Sequence, residues 1–377
     1  MNTPLLGLVL YLAMMAAVAV WTWGKNRTKE DFILGGRRLG AWVIAFSERT
    51  AGESSWLILG LSGALYAKGL LENWTVLGCV SGIIFYWYVV ARKLREVSEQ
   101  YGAITLPEYF YRFSGDQGQT VRVLSMLIIT FFFAFYVAAQ FLGAGKVLEV
   151  TFGLDESLGM PLAATVVVVY TLMGGFIAVC YTDVVQAVLM VVTLVVMPII
   201  GFVFIATHGL EVSAAFAARE GLASWTGGTE GWAAAAVVVG GLSWGFHYMG
   251  QPHLVTKFMA IDRPESVRVG RRVAIVWTLL AYGGAALVGV VGITLVHHAA
   301  VPTGELTGAG ADVERVLPVL ASALFPAWIA GILIAGAVAA MMSTADSQLL
   351  IATSTVVEDF WSKALGRELS ARAMVAM

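Results

Sequence analysis

Charge is scarce in this sequence. Only 13% of its 377 residues are Asp, Glu, Lys or Arg, about half of the ~25% usual in soluble domains, and the mean hydropathy is +0.80. A soluble fold is excluded on that ground. Cysteine is almost lacking: Cys79 and Cys180 lie in or beside apolar segments, where they read as small buried hydrophobes rather than a disulfide frame or a reactive thiol. The five histidines are scattered, so no His/Cys metal cage is expected. No catalytic triad is read, and no glycine run leads into Lys-Ser/Thr as a phosphate loop requires. The chain is not expected to be an enzyme, and energy for any work must come from an ion gradient rather than ATP. No Lys/Arg stripe with interleaved aromatics offers a nucleic-acid surface, and the net charge of −2 adds nothing towards one. The start, Met1 to Pro4, has no charged side chain and runs into a full-length apolar segment, which is therefore expected to stay as a span rather than be cleaved.

What is present is apolar sequence in blocks of roughly 20 residues or more, the length that crosses about 30 Å of hydrocarbon as a helix. About nine spans are predicted: Leu5–Trp23, Leu39–Ala67, Asn73–Val90, Val121–Val150, Pro161–Val179, Asp183–Thr207, Trp232–Met259, Arg272–Val296 and Val316–Trp361. The chain is thus an all-α polytopic membrane protein with the lipid bilayer as its solvent, read as a single transmembrane domain over 1–377. Lys and Arg alternate sharply between loops. Lys25, Arg27, Lys29, Arg37 and Arg38 follow the first span, Arg92, Lys93, Arg95, Arg112 and Arg122 the third, and Lys257, Arg263, Arg268, Arg271 and Arg272 the seventh. Lys363, Arg367 and Arg372 follow the ninth. The intervening loops are mostly acidic. Cytoplasmic loops accumulate Lys and Arg, which predicts an outside N-terminus in a bacterial inner membrane. After Ser370 a new apolar run, Ala371 to Met377, begins and stops, so further helices are expected beyond it.

Polar groups at membrane depth are costly unless paired and point to function. Three clusters qualify. Ser47 to Trp56 places Glu48, Arg49 and Glu53 with Gly52 in the middle of the second span, the pattern of a helix interrupted where it lines a protein or water-filled cavity. Unwinding there frees carbonyl oxygens for a hard cation; the plainer reading is an internal Arg49–Glu53 pair one turn apart. In the ninth span, Ser343, Thr344 and Ser347 lie close on one helix face with the Ala340 carbonyl a turn back and Asp346 beside them. They either converge on a cation or bond their own preceding carbonyls. Gly240 to His253 approaches Pro252 through glycines and carries Trp244, Tyr248 and Gln251, again the mark of a broken or kinked helix. His253, near Lys257, reads as an ordinary residue at the cytoplasmic edge. Asp183 opens the sixth span, either as a helix N-terminal acid or as an ion ligand.

Taken together, Asp31 to Gly40 (DFILGGRRLG), Trp56 to Gly63 (WLILGLSG), Gly174 to Val179 (GGFIAV), Thr182 to Gln186 (TDVVQ), Tyr248 to His253 (YMGQPH), Lys257 to Ala260 (KFMA), Met342 to Thr344 (MST), Gln348 to Leu350 (QLL) and Glu358-Asp359 resemble the sodium:solute symporter family. Within it the chain is most similar to the sodium/proline symporters, and the likeness runs from the first span to the end. The resemblance implies two inverted five-helix repeats after one extra N-terminal helix, here truncated after about nine transmembrane helices, with sodium as coupling ion between the repeats. It implies that backbone carbonyls of Thr50, Glu53 and Ala340 and hydroxyls of Ser343 and Thr344 hold sodium, with Asp183 and Ser347 on the exit path or at a second site. It also implies a solute pocket of Ser54, Ser55, Trp56, Tyr136, Trp244, Tyr248 and Gln251, suited to proline or a related amino acid. A carboxylate can rest on half-helix N–H groups and an ammonium on an aromatic face. The sequence departs from the proline symporters at Gly52, where they carry an aspartate, with Glu53 one position later; Glu48 and Arg49 depart as well. Pantothenate, a sugar, a monocarboxylate or sialic acid stay open as solutes. A sensor module fused to signalling domains stays open as another function. A passive channel fits the broken helices less well.

Overall fold

A computed structural model describes residues 3–25, 28–308 and 311–367. Arg27, Arg372 and the terminal apolar run Ala371 to Met377 lie outside the described residues. The described chain is helical, and its one bridge between extended segments pairs Leu39 with Ile261. Helix α1 spans Thr3–Thr22, α2 Lys29–Leu34, α3 Ala41–Ser55, α4 Ser62–Lys68, α5 Asn73–Val89, α6 Ala91–Gln100 and α7 Leu106–Ser114. There follow α8 Thr120–Phe152, α9 Glu156–Thr207, α10 Val212–Ala217, α11 Gly231–Ser243, α12 Pro252–Met259, α13 Val267–His297, α14 Val316–Leu324 and α15 Ala327–Thr355.

Among the described residues six helical stretches are long and apolar enough to cross a membrane: Leu5–Thr22, Ala41–Gln100, Thr120–Glu149, Ser157–Thr207, Pro264–His297 and Ala327–Ala364. Ser157–Thr207 has 51 residues, about 77 Å of helix at 1.5 Å per residue, more than twice a hydrocarbon core. The chain is therefore a multi-pass membrane protein. The outer faces match that solvent: α8 turns Leu124, Leu127, Ile128, Phe131, Phe132 and Phe135 outward. Helix α15 is the opposite case, buried through Leu333–Gln348 and packed against α1, α3, α8 and α9. Its alanines, glycine and short hydroxyls let four neighbours approach at once.

Two of the predicted interruptions fall where the polar clusters are. Helix α3 stops at Ser54, whose backbone (φ 46°, ψ −168°) leaves the helical region. A wide π-type turn over Trp56–Leu61 then leads into α4. Helix α11 passes through a tight 3-10 stretch, Trp244–Gly250, to an extended Gln251, and α12 restarts at Pro252. The proline suits a first helical turn, where its missing N–H costs nothing.

Two boundaries need correction. The fifth and sixth predicted spans form one helix, α9, kinked at Gly175 (φ 51°) rather than near residue 181. Asp183 is accordingly not a helix N-terminal acid but lies inside a continuous helix beyond the kink. A side chain at Gly175 would overlap the Phe32 ring, so the bend sits where only glycine fits. The ninth predicted span is divided at extended Phe325 and Pro326, and α15 then runs unbroken through Ser343 and Ser347. Pro326 explains the division, since the residue before a proline avoids helical geometry.

Helices α5 and α11 touch backbone to backbone. A Cβ on Gly78 or Gly82 would overlap the carbonyls of Gly241 or Gly245, and one on Gly241 would meet Trp74 Cβ at 2.5 Å and the Trp74 and Thr75 backbone at 2.8–2.9 Å, whereas Gly240 faces open space. Gly241→Ala is expected to destabilise the protein by about 1–3 kcal/mol, because backbone cannot rotate aside. Gly240→Ala should instead gain about 0.5–1 kcal/mol. Thermal midpoints of the two purified variants check the contrast; equal effects would refute the seam.

Candidate functional site

Where α3 breaks, its last carbonyls lose their helical N–H partners and need others. Helix α15 supplies them. The Ser343 hydroxyl lies 3.2 Å from the Thr50 carbonyl and 2.9 Å from that of Ala340, and the Thr344 hydroxyl lies 3.0 Å from the Ala51 carbonyl and 3.1 Å from that of Ala340. Five oxygens, three of them carbonyls, thus face one another in a buried layer that contains no charged group. The Ala51 carbonyl, which sequence reading passed over, also accepts from His253 Nε2 at 3.2 Å. His253 is buried, not at an edge. The Glu53 carbonyl accepts the Trp56 N–H instead. The Thr50 hydroxyl approaches Phe46 O at 2.9 Å and Asp183 O at 3.2 Å, tying α3 to α9.

On one side of this layer lies a closed ionic network. Arg49 Nε donates to Glu48 Oε2 at 2.7 Å, a second Arg49–Glu48 contact completes a fork, and Nη1 donates to Glu53 Oε1 at 2.9 Å. Glu48 Oε2 also takes the Trp87 indole N–H at 2.9 Å, and Tyr86 Oη takes Arg49 Nη2 at 2.7 Å. Glu53 Oε2 accepts from Tyr248 at 3.0 Å and Tyr282 at 2.5 Å. Arg49, Glu48 and Glu53 have no side-chain exposure. The internal Arg49–Glu53 pair therefore exists, widened by Glu48 and three phenols, and Glu53 serves as its hub.

On the other side, Lys257 reaches across from α12. Its Nζ lies 2.7 Å from Asp183 Oδ2, 2.7 Å from Ser47 Oγ, 3.0 Å from Ser47 O and 2.9 Å from Ser347 Oγ. Lys257 is 1% exposed, which corrects its reading as a loop cation. Asp346 continues this cluster, accepting from Tyr170 at 2.5 Å and from Ser347 at 3.1 Å. Ser47 opens the first polar cluster and Lys257 the KFMA stretch, but neither was expected to meet Asp183; the available signal was a lone Lys inside the otherwise apolar end of a predicted span.

The expected solute residues divide. Trp56 and Trp244, from the two broken helices, stack with centroids 4.7 Å apart and planes at 11°. Tyr136, half-buried on α8, pairs with the side chain of Ser54. Ser55 lines a cavity of about 360 Å³ with Leu59, Lys146, Glu149, Glu314 and Arg315. Burial and the neighbouring Asp312 raise the Glu314 carboxyl above its ordinary range there. Tyr248 is turned into the Glu53 network, and Gln251 pairs with His247.

Residues 32–376 match the profile described as the sodium:solute symporter family. The chain belongs to that family. This symporter-family chain is 34% identical over 376 residues to the sodium/proline symporter of Escherichia coli (strain K12), covering 99% of this chain and 74% of that protein. It is 32% identical to the osmoregulated proline transporter OpuE of Bacillus subtilis (strain 168), covering 98% and 73%. Among solved structures it superposes with a TM-score of 0.80 on a Na+-coupled sialic acid symporter in a substrate-bound, outward-open state, at 19% identity, covering 99% of this chain and 78% of that one. At that identity the match establishes a shared fold. The family transports and does not catalyse, so the absence of a triad or phosphate loop in the sequence has its reason.

Arg49→Met is expected to destabilise the protein by about 3–5 kcal/mol, because two buried carboxylates lose the one cation that pairs with them among the described residues. Adding Glu48→Gln and Glu53→Gln to it should recover most of the loss. Thermal unfolding of the single and triple variants decides; an uncorrected triple variant would show that packing, not charge, holds this network.

Proposed function

We propose that this chain is the membrane domain of a sodium-coupled secondary symporter that imports proline or a related small amino acid by alternating access. The observation that carries the reading is the buried layer of Thr50, Ala51, Ala340, Ser343 and Thr344 oxygens at the break of α3. Sodium is a hard cation and takes oxygens, and unwound carbonyls in a broken membrane helix are a recurrent way to offer them. On binding, the two hydroxyls would turn their lone pairs to the ion and release the carbonyls they now contact. No net charge is built into the layer, so the ion can leave as well as enter.

Solute would sit above, against Trp56 and Trp244, with Tyr136, Ser54 and Ser55 around it and the charged cavity as its approach. The stacked indoles offer an aromatic face to a zwitterion's ammonium, and the half-helix after Ser54 offers N–H groups to its carboxylate. Tyr248 and Gln251 would act from behind this pocket. The same reading takes α1 as an extra N-terminal helix, followed by inverted five-helix repeats whose seam runs between α3 and α15. It places the N-terminus outside a bacterial inner membrane, on the alternation of Lys and Arg between loops.

The test is uptake of labelled L-proline into proteoliposomes holding the full-length protein, driven by an inward sodium gradient, with potassium as control. Sodium-dependent accumulation is expected; no proline uptake by folded protein would send the search to other solutes. Ser343→Ala and Thr344→Ala should each raise the sodium concentration for half-maximal uptake about 10-fold, the cost of roughly one oxygen ligand. Unchanged sodium activation in both would remove this layer as the ion site. Trp244→Ala should raise the solute half-saturation about 3- to 10-fold, as loss of one aromatic stack implies. Lower expression with unchanged half-saturation would make the indole structural.

A further inference from the structure

The Lys257 ammonium is held as a bound cation would be. Four oxygens from three helices surround it at 2.7–3.0 Å: Ser47 O and Oγ on α3, Asp183 Oδ2 on α9 and Ser347 Oγ on α15. Ser47 Oγ itself donates to Asp183 Oδ2 at 2.6 Å, so the cage is internally braced. Both Lys257 and Asp183 are buried. Among the described residues no donor reaches Asp183 Oδ1, so this carboxylate keeps one oxygen in reserve for a cation. The cage adjoins the five-oxygen layer directly: Ser347 follows Thr344 by one turn of α15, and the Thr50 hydroxyl lies 3.2 Å from Asp183 O.

We propose that Lys257 is a tethered cation filling a second cation position formed by Ser47, Asp183 and Ser347, so that sodium is excluded there and the protein binds one sodium ion rather than two. A carboxylate buried away from water needs a positive partner. Here that partner is covalently part of α12, and it cannot be released to either side of the membrane with the solute. The lysine stem spans the gap between α12 and α3, which is why a residue five positions after Pro252 can serve a site built from three other helices. The count of one rests on the five-oxygen layer being the sodium site, and the experiment separates the two readings.

The experiment is equilibrium binding of radioactive sodium to the purified full-length protein, wild type beside Lys257→Met, each with and without Ser343→Ala, together with the rise in thermal midpoint on replacing choline by sodium. Wild type is expected to bind one ion per chain and Lys257→Met two, with Ser343→Ala removing one from each. Adding Asp183→Asn to Lys257→Met should return the count to one. Two ions on wild type, or one ion on both wild type and Lys257→Met, overturns the tethered cation. Zero on wild type with one on Lys257→Met would instead remove the five-oxygen layer while upholding the cage. Should Lys257→Met fold poorly, its midpoint is expected to rise more in sodium than that of wild type; an equal rise overturns the proposal.

Discussion

The broken helix α3 sets the terms for the rest of the molecule. A backbone that leaves helical geometry in hydrocarbon exposes carbonyl and amide groups that lipid cannot satisfy. They must be met from inside the protein. Here α15 meets them with two hydroxyls, α12 adds the His253 ring, and α9 receives the Thr50 hydroxyl. That requirement explains why α15 lies in the most enclosed of the six membrane-length stretches and why its central residues are so small. A bulky side chain at Ala340 or Ser343 would hold α15 away from the carbonyls it has to reach.

The uncharged layer is bracketed by two ionic clusters of similar composition. Glu48, Arg49 and Glu53 lie on one side, and Asp183, Lys257 and Asp346 on the other, each with two carboxylates and one base. Their surroundings differ. The arginine network is closed by three phenols and an indole, and its planar fork is matched to Glu48. The lysine cluster is built from hydroxyls and a carbonyl around a point charge on a flexible stem, and it touches every helix that contributes to the layer. One is built as a fixed strut, and the other is the cluster proposed above to belong to the ion machinery.

Much of the fold was legible because the breaks carry their own chemistry. Three charges and a glycine in mid-span announced the interruption of α3, and glycines followed by Pro252 announced that between α11 and α12. The kink in α9 was not legible in the same way. Gly174 and Gly175 lie in an apolar run that continues on both sides, so hydropathy placed the join at the more polar Tyr181 to Asp183. In the candidate site, Ser343, Thr344 and Ala340 could be named from one helix face. Ala51 could not be told from its neighbours, since any carbonyl of a broken turn looks alike in sequence. Lys257 was lost for a related reason: a basic residue near the end of a span has two ordinary destinations, the lipid headgroups or a partner inside. Only the arrival of Ser47, Asp183 and Ser347 from remote parts of the chain selects the second.

The glycine seam between α5 and α11 bears on motion. Packed helices usually interlock, with the side chains of one seated between those of the other, and sliding then requires many rotamers to change together. Along Gly78 and Gly82 against Gly241 and Gly245 the closest approaches are mostly backbone to backbone, with the Trp74 Cβ set against Gly241. Displacement of α11 along α5 would then need few rotamer changes, while displacement away from it would sacrifice a close contact. In any motion of the half-helix that carries Trp244, such a seam would favour travel along α5 over separation from it.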